Sequence, residues 1–498
     1  MLLFNLNSLI TKIILIISLS SIKPSSNDDN ESTESIRFVF ELCRHGARTP
    51  YGGLKISNFT FTDYFSEEWK GIKELTQLGI KQHFYLGLRN RIKYIDSENP
   101  LLNEIYDPQE ILVYSTNSNR TILSANAQLQ GLYLMNNTNI NPLSEKQINN
   151  SLPPDFDEKY YNDENKELGT NSLPFNMNIV PIHLLYSEDH IIQIQDEKNC
   201  KNLTKKYNKR KNRKDLKKFL IKLDKNYSDL IYPLIKDNIN LINNDSQKLF
   251  SSDYTLTYNL LDQIVCQYSN GKINKKIIDC IKNNNNNNKT NNLTIKDLYD
   301  DAIEFFKFDF LSNATGIDEE IGLYSLSPIM NMVINYMNKK VEKDKENDFD
   351  YLGYDVPKFL FISAHDSTVG GLEAFFKAID NEFDLNYAYF ASNIFIELFN
   401  NNTNNIINRN YDEDDYYVRI LFDEKKIREY RYKEFYNLIK SKIKDKYEIA
   451  NYCGYEIEEV QFENGFDFYL VSSIILSCLT LALIMILINL YLKKEKIN

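Results

Sequence analysis

Short apolar runs near both ends of the chain predict the strands of a sheet. "IRFVFEL", "EILVYST", "PKFLFISA", "SNIFIELF" and "YYVRILFD" are rich in β-branched and aromatic residues and have the length of strands. Apolar positions at helical spacing follow the first two runs, from Glu74 to Tyr94 and from Arg120 to Leu134. Strands and helices therefore mix in two outer blocks, 34–134 and 351–460.

The middle of the chain, 135–350, has a different pattern. It opens with a loop rich in asparagine and proline, and a weaker apolar run at 178–186 predicts one strand that returns to the first block. Several helical stretches and the basic run "KKYNKRKNRKDLKK" follow, and we interpret that run as a solvated helix face. The pattern as a whole predicts an α/β core of three layers, interrupted by a mostly helical cap.

Two apolar segments predict contact with a membrane. Lys12 and the apolar stretch after it are typical of a secretory signal peptide over 1–21, with an uncleaved anchor as the alternative. Phe468 to Leu492 carries no charge and is long enough to cross ~30 Å of hydrocarbon as a helix. Lysines follow in the tail, 493–498, which predicts a cytosolic C-terminus and a type I single-pass protein with its bulk in the lumen or outside the cell.

Composition narrows the class of protein. The net charge of −11 argues against a nucleic-acid partner, because a phosphate backbone requires a basic face. In an oxidising compartment, up to two disulfides are expected among four cysteines, in any of three pairings, while Cys43 is expected to be free. Sequons such as Asn58-Phe59-Thr60 indicate a glycoprotein. The four cysteines are Cys200, Cys266, Cys280 and Cys453.

Candidate chemistry follows three of the predicted strands. The segment "RHGARTP" places Arg44 and Arg48 around His45, "STNSNRTILSA" carries Arg120, and "SAHDST" pairs a histidine with an aspartate. Fork-shaped guanidinium donors suit a tetrahedral dianion such as phosphate. A neutral imidazole can attack phosphorus, and a protonated carboxyl can supply the proton that the leaving oxygen needs. Because strand ends are where α/β sheets bind ligands, the three motifs predict one phosphate site.

These motifs resemble those of the histidine acid phosphatases. "RHGARTP" matches every fixed position of their RHGxRxP signature, "ELTQLGIKQHFYLGLR" resembles the helix after it, and "SAHDST" matches their histidine–aspartate pair. The resemblance covers the two outer blocks and is weak in the insertion. It implies a mostly parallel sheet, a covalent phosphohistidine, and no metal or cofactor. The implied roles are His45 as nucleophile, Asp366 as proton donor, and Arg44, Arg48, Arg120 and His365 as phosphate ligands.

The resemblance also sets expectations about location and partners. The predicted domain order resembles that of lysosomal members of the family, with a signal peptide, a luminal domain, a single membrane span and a short tail. The tail lacks their tyrosine-based signal, because Lys494 lies three places after Tyr491, and "KEKIN" resembles a dilysine retrieval signal or a plain positive anchor. The expected partners are phosphomonoester substrates and the membrane, and a homodimer is left open.

The sequence predicts a general acid phosphatase and leaves two alternatives open. One alternative is a phosphatase for inositol phosphates, whose family branch often has His-Ala-Glu where this chain has His365-Asp366. The other is an inactive surface protein that binds anionic ligands. Among the remaining histidines, His83 is expected to pack in the core, and His183 and His190 receive no role.

Overall fold

The structure is a computed structural model that describes residues 34–51, 71–134, 142–151, 168–173, 177–185, 200–235, 248–273, 275–287, 293–310, 319–346, 356–384, 386–401 and 413–454. The chain divides into two compact units, Met1–Asp445 and Lys446–Asn498. The first unit contains the sheet and most of the described helices. The expected signal peptide, 1–21, and the expected span, 468–492, lie outside the described residues. Within the described part, no helix is both long and apolar enough to cross a membrane.

A single seven-stranded sheet forms the centre of the first unit, with the strand order β3-β2-β4-β1-β5-β6-β7. Its pairs β1/β4, β2/β4 and β2/β3 are parallel, and β1/β5, β5/β6 and β6/β7 are antiparallel. The strands are β1 Ser35–Arg44, β2 Ile111–Thr116, β3 His183–Leu185, β4 Phe359–Ala364, β5 Asn393–Asn400, β6 Tyr416–Phe422 and β7 Lys425–Arg431.

The mixed α/β fold with a central sheet agrees with the prediction, but the expectation of a mostly parallel sheet is wrong. Half of the described strand pairs are antiparallel, namely β1/β5, β5/β6 and β6/β7. The two-residue turn Asp423-Glu424, with φ of 46° and 70°, joins β6 to β7 as a hairpin. The sequence prediction missed β7 altogether, since its segment "KKIREYR" is charged and lies at the sheet edge.

Thirteen α-helices lie in the described residues. Thr76 caps the first helix by accepting a hydrogen bond from the Gly79 amide at 3.2 Å, so that helix begins three residues after the predicted Glu74. The helices are α1 Gln77–Tyr94, α2 Asn119–Leu132, α3 Glu145–Asn149, α4 Lys201–Arg210, α5 Lys214–Ile235, α6 Leu249–Ser252, α7 Tyr254–Ser269, α8 Lys275–Asn287, α9 Ile295–Phe310, α10 Glu319–Glu346, α11 Asp366–Ile379, α12 Tyr432–Lys442 and α13 Lys446–Cys453.

Alternate residues of β1 bury against helices on opposite faces of the sheet. Phe38, Phe40 and Leu42 join a core with α10, α11 and α12, whereas Val39 and Cys43 join a core with α1 and α2. Burying a large apolar side chain contributes roughly 1.5–3 kcal/mol, so these two cores fix which face each β1 residue occupies. Their strength holds the end of β1, and the motif after it, in one position.

Helices α5 to α9 form most of a third apolar core, which includes Leu223, Phe250, Leu261 and Phe305 and which Tyr387 joins. This helical region, residues 200–310, lies within the predicted insertion. The predicted strand at 178–186 is reduced to the three residues of β3, paired in parallel with β2. Pro181 precedes that strand and has no amide hydrogen to contribute to a ladder.

The described residues contain both disulfide-bonded cysteines and free thiols. Cys200 and Cys453 are disulfide-bonded, whereas Cys43, Cys266 and Cys280 are free. The expectation of a free Cys43 is therefore confirmed. The other two of the four cysteines expected to pair, Cys266 and Cys280, are free thiols in separate helices.

Candidate active site

Three parallel strands bring the predicted motifs to one edge of the sheet. In the ladder, Arg44 of β1 lies opposite Ala364 of β4, and Ser363 of β4 lies opposite Ser115 of β2. Residues that follow these strands must therefore emerge side by side. The His45 amide donates to the Ala364 carbonyl at 3.0 Å, and the rings of His45 and His365 lie edge to face with centroids 5.6 Å apart.

The local contacts of His45 define its tautomer. Nδ1 lies 2.9 Å from the carbonyl oxygen of Gly46, which can only accept, so Nδ1 carries the hydrogen and Nε2 keeps its lone pair. Burial lowers the pKa of His45 well below its ordinary value, and the charges of Arg120 and Arg44 lower it further. The side chain is thus a neutral imidazole whose unprotonated nitrogen is Nε2.

Close backbone packing explains the glycine after His45. A Cβ at Gly46 would lie 2.5 Å from the Gly79 carbonyl oxygen at the start of α1, so any side chain there would displace the loop or the helix. The Gly46 amide also donates to Ser124 Oγ of α2 at 3.1 Å, and the Ala47 amide donates to Gln82 Oε1 of α1 at 2.8 Å. Both helices therefore hold the turn that carries the histidine.

Arg44 forms an ion pair with the predicted proton donor. Its Nη2 lies 2.6 Å from Oδ2 of Asp366, and its Nη1 donates to the Ala388 carbonyl at 2.7 Å. Burial alone would raise the pKa of Asp366, but Arg44 and Arg48 outweigh burial and lower it. In the structure Asp366 is therefore a carboxylate.

Arg48 pairs with a residue that the sequence analysis did not single out. Its Nη2 donates to Oδ1 of Asp262 at 2.7 Å and its Nη1 to Oδ2 at 3.3 Å, a bidentate pair between two buried side chains. Asp262 lies on α7, more than 200 positions along the chain. A buried acid on the apolar face of a helix was the available signal, but sequence alone does not indicate which cation it meets.

Arg120 approaches the other histidine. Its Nη2 lies 3.2 Å from Nδ1 of His365, and since a guanidinium can only donate, that ring nitrogen accepts. The hydrogen therefore lies on Nε2, which donates to Oγ1 of Thr116 at 3.0 Å. Burial and the charge of Arg120 lower the pKa of His365 to about 3. His365 is therefore a neutral ring in the structure.

Each of the three arginines keeps one donor unused. The Nε atoms of Arg44, Arg48 and Arg120 are buried and have no hydrogen-bond acceptor among the described residues. Buried donors without partners are rare in folded proteins, because each costs roughly 1–3 kcal/mol. Phe390 stacks 4.3 Å from the Arg44 guanidinium carbon, and Tyr51 stacks 4.4 Å from that of Arg48, so apolar rings shield both cations.

A buried polar network lies behind the turn that carries His45. Asn90, Gln128 and Asn393 donate to the carboxyl of Glu41 on β1 at 2.7–2.8 Å. Burial raises the pKa of Glu41 to about 7 despite these amide donors. Gln128 also contacts His83, whose other ring nitrogen lies 3.2 Å from the Arg44 carbonyl. A glutamate inside an apolar strand was a signal for such a network.

The six predicted site residues therefore meet at one place, and His83 and His183 are not among them. His83 is fully buried in the core as expected, and burial lowers its pKa to about 4. His183 lies on β3 with its ring 5.7 Å from that of Tyr114. His190 lies outside the described residues.

Comparison with known proteins places the chain in a family. The model of the histidine phosphatase superfamily (branch 2) matches residues 35–423. Lysosomal acid phosphatase of Xenopus laevis is 42% identical over 103 residues, which are 20% of this chain and 22% of that protein. The human lysosomal enzyme is 40% identical over 100 residues, with the same coverage. The chain thus spans about a fifth of the length of the curated relatives it matches.

Solved structures give a broader but looser similarity. The phytase from Citrobacter braakii superposes over 83% of this chain and 99% of its own, with 14% identity and a TM-score of 0.43. The phytase of Hafnia alvei in complex with myo-inositol hexakis sulphate superposes over 84% of this chain with 12% identity and a TM-score of 0.46.

Proposed function

The chain belongs to the histidine phosphatase superfamily (branch 2), and we propose that it is an acid phosphatase that hydrolyses phosphate monoesters through a phosphohistidine at His45. One observation carries the proposal: three arginines surround the histidine, two from the end of β1 and one after β2, each with a buried Nε–H that lacks an acceptor among the described residues. The oxygens of a phosphoryl group are acceptors of the kind these donors need.

The first chemical step uses the tautomer of His45. Its Nε2 lone pair forms the P–N bond, while Nδ1–H stays on the Gly46 carbonyl and holds the ring in position. The P–O bond to the alcohol breaks as the P–N bond forms, and its electron pair goes to the leaving oxygen. Arg44, Arg48 and Arg120 stabilise the charge on the other phosphoryl oxygens, a role that metal ions have in many phosphoryl-transfer enzymes.

Asp366 supplies the proton that the leaving oxygen needs. As a carboxylate bound to Arg44 it cannot do so, but a phosphate dianion competes for that arginine and adds negative charge beside the carboxylate. Both effects raise the pKa of Asp366, so substrate binding favours proton uptake there. After the alcohol leaves, the resulting carboxylate can accept a proton from the water that cleaves the P–N bond.

His365 and the proposed substrate share Arg120. Its Nη2 donates to His365 in the structure and would be shared with a phosphoryl oxygen in the complex. A phosphoryl oxygen can also accept from the Nε2–H of His365, so the neutral ring can act as the phosphate ligand that the family resemblance implies. We therefore retain His365 as a proposed phosphate ligand.

Location and assembly belong to the same proposal. We propose a type I single-pass protein of the endomembrane system with its catalytic domain in the lumen, supported by the terminal apolar segments and the similarity to lysosomal acid phosphatases. Protease added to sealed microsomes should remove only a tag on 493–498. Digestion of the luminal bulk would contradict this topology. Whether two copies associate as a homodimer is a separate question for sedimentation of the detergent-solubilised protein.

The test of the activity is a panel of phosphomonoesters. Full-length protein is expected to release phosphate from glycerol phosphate and nitrophenyl phosphate at acidic pH, and His45→Ala to release none from either. The panel includes inositol hexakisphosphate, since preference for it would identify the phytase-like alternative. Binding of inorganic phosphate without turnover of any ester would instead favour the inactive, anion-binding protein.

A further inference from the structure

Asp262 lies in the helical region 200–310, yet its carboxylate belongs to the innermost contacts of the proposed phosphate site. Besides the bidentate pair with Arg48, its Oδ2 accepts from the Tyr51 amide at 2.8 Å, and the Cys266 thiol lies 3.9 Å from its Oδ1. Arg48 is in turn bound to the Thr49 carbonyl at 3.0 Å. Both partners of the pair are almost fully buried, so this carboxylate fixes where the guanidinium points.

The negative charge of Asp262 also affects the net charge of the site around His45. Three arginines surround the histidine, and two of them pair with carboxylates, Arg44 with Asp366 and Arg48 with Asp262. Arg120 contacts the neutral His365 and forms no ion pair among the described residues. The site therefore holds one net positive charge before a ligand binds.

A phosphomonoester dianion carries two negative charges, and the site alone carries only one net positive charge. Binding of the dianion would therefore leave the site with one net negative charge. A proton on Asp366 restores neutrality, and that proton is the one the leaving oxygen requires. Without the charge of Asp262, the arginines alone would balance the dianion while Asp366 stayed ionised. Buried sites favour the protonation state closest to neutrality, because an unbalanced buried charge is costly.

We propose that Asp262 is a positioning residue that orients Arg48 and, by cancelling one arginine charge, makes binding of a phosphate dianion draw a proton onto Asp366. This inference rests on the proposed function and deepens it. It also gives the helical region a role in the chemistry, since the region supplies the charge that sets the state of the proton donor.

Other groups also act on Asp366, but they remain the same when Asp262 is changed. The titratable or charged groups that interact with it are Arg44, Arg48, Arg120, His365, Tyr387 and Cys266. Asp262→Asn removes one negative charge and keeps one oxygen that can accept from Arg48. A matched control is Asp224→Asn. Asp224 is a buried acid of α5 that accepts a hydrogen bond from the Phe250 amide at 2.6 Å and, within the described residues, forms no ion pair with the arginines of the site.

The direct test is proton uptake by the full-length protein on binding inorganic sulfate. Sulfate stays a dianion at pH 5–7, so any linked proton belongs to the protein, and calorimetry in buffers of different ionisation enthalpy counts it. The wild-type protein and Asp224→Asn are expected to take up about one proton per sulfate, and Asp262→Asn close to none. Equal uptake by Asp262→Asn and wild type would overturn the proposal.

A second measurement separates this proposal from the proposed function. In the kcat profile for glycerol phosphate, Asp262→Asn should move the alkaline limb to lower pH by about one unit, while Asp224→Asn leaves it unchanged. A wild-type protein that hydrolyses no ester would refute the proposed function, whatever the sulfate result. If the wild-type protein is active but the alkaline limb of the kcat profile is the same in Asp262→Asn, only the proposed role of Asp262 is refuted. A loss of kcat in Asp262→Asn that is equal at every pH would refute that role as well, because a purely structural role predicts such a loss.

Discussion

The sheet and the helical region each supply one carboxylate to the same site, and the two carboxylates are held differently. Asp366, beside β4, has one ion pair and one amide donor, and its side chain is 17% exposed. Asp262, on α7, accepts two guanidinium bonds and an amide, and its side chain is 5% exposed. A group that must gain and lose a proton needs an open side, whereas a group that fixes a charge is best saturated with donors.

Of the two carboxylates, Asp366, the proposed proton donor, should have the larger effect on activity. Asp366→Asn is expected to lose ~10²–10⁴-fold in kcat for glycerol phosphate, because an alkoxide is a poor leaving group and needs a proton. It should keep far more activity on nitrophenyl phosphate, whose leaving group departs as a stable anion. Steady-state kinetics on both substrates checks this.

The control for Asp366→Asn is phosphate binding, which should persist if the site remains folded. Equal losses on both substrates, with inorganic phosphate still bound, would show that Asp366 is not the acid. Another carboxyl group near the leaving oxygen would then have to supply the proton.

The free energy of unfolding should depend more on Asp262 than on Asp366, the reverse of the order expected for activity. Asp262→Ala leaves Arg48 buried without a counter-ion, and breaking a buried pair in this way costs about 3–5 kcal/mol. Asp366→Ala should cost less, because the carboxylate of Asp366 has only one ion pair and one amide donor and lies closer to solvent. Denaturant unfolding of the three proteins measures the difference. A larger loss for Asp366→Ala would mean that the sheet-borne pair is the structural one.

The pH dependence of kcat/KM should reflect the depressed pKa of His45. A histidine with its ordinary pKa near 6.5 would be roughly 99% protonated at pH 4.5 and would lose about a hundredfold in activity. Burial and the arginines lower the pKa of His45, so Nε2 stays unprotonated and activity should persist from pH 6 to 4.5. An optimum above neutrality, or an acid limb near pH 6.5, would contradict this protonation state.

The same comparison explains what the sequence could predict. Arg44, Arg120 and Asp366 follow apolar strands, and parallel strands end at one edge, so local pattern was enough to bring them together. Asp262 lies on a helix packed in a separate core, and its contact with Arg48 depends on how two distant segments meet. β7 was missed because an exposed edge strand carries charges in place of an apolar run.

The protonation states were also beyond the sequence. Neutral His365 depends on which atoms its two nitrogens meet, namely a guanidinium and a threonine hydroxyl. The motif identifies the residue type, whereas the tautomer follows only from the geometry. The same holds for His45, where the Gly46 carbonyl selects Nε2 as the reacting atom.

In the proposed mechanism His45 carries the phosphoryl group, and trapping that phosphohistidine tests this role most directly. Asp366→Asn, mixed with radiolabelled nitrophenyl phosphate and quenched rapidly, should retain an acid-labile, base-stable label on the peptide that contains His45. Because Nδ1 is bound to Gly46, phosphorus NMR of that peptide should show the Nε2-phosphohistidine isomer. His45→Ala should retain no label. A label on another residue, a phosphate on Nδ1, or turnover that continues in His45→Ala would contradict the account.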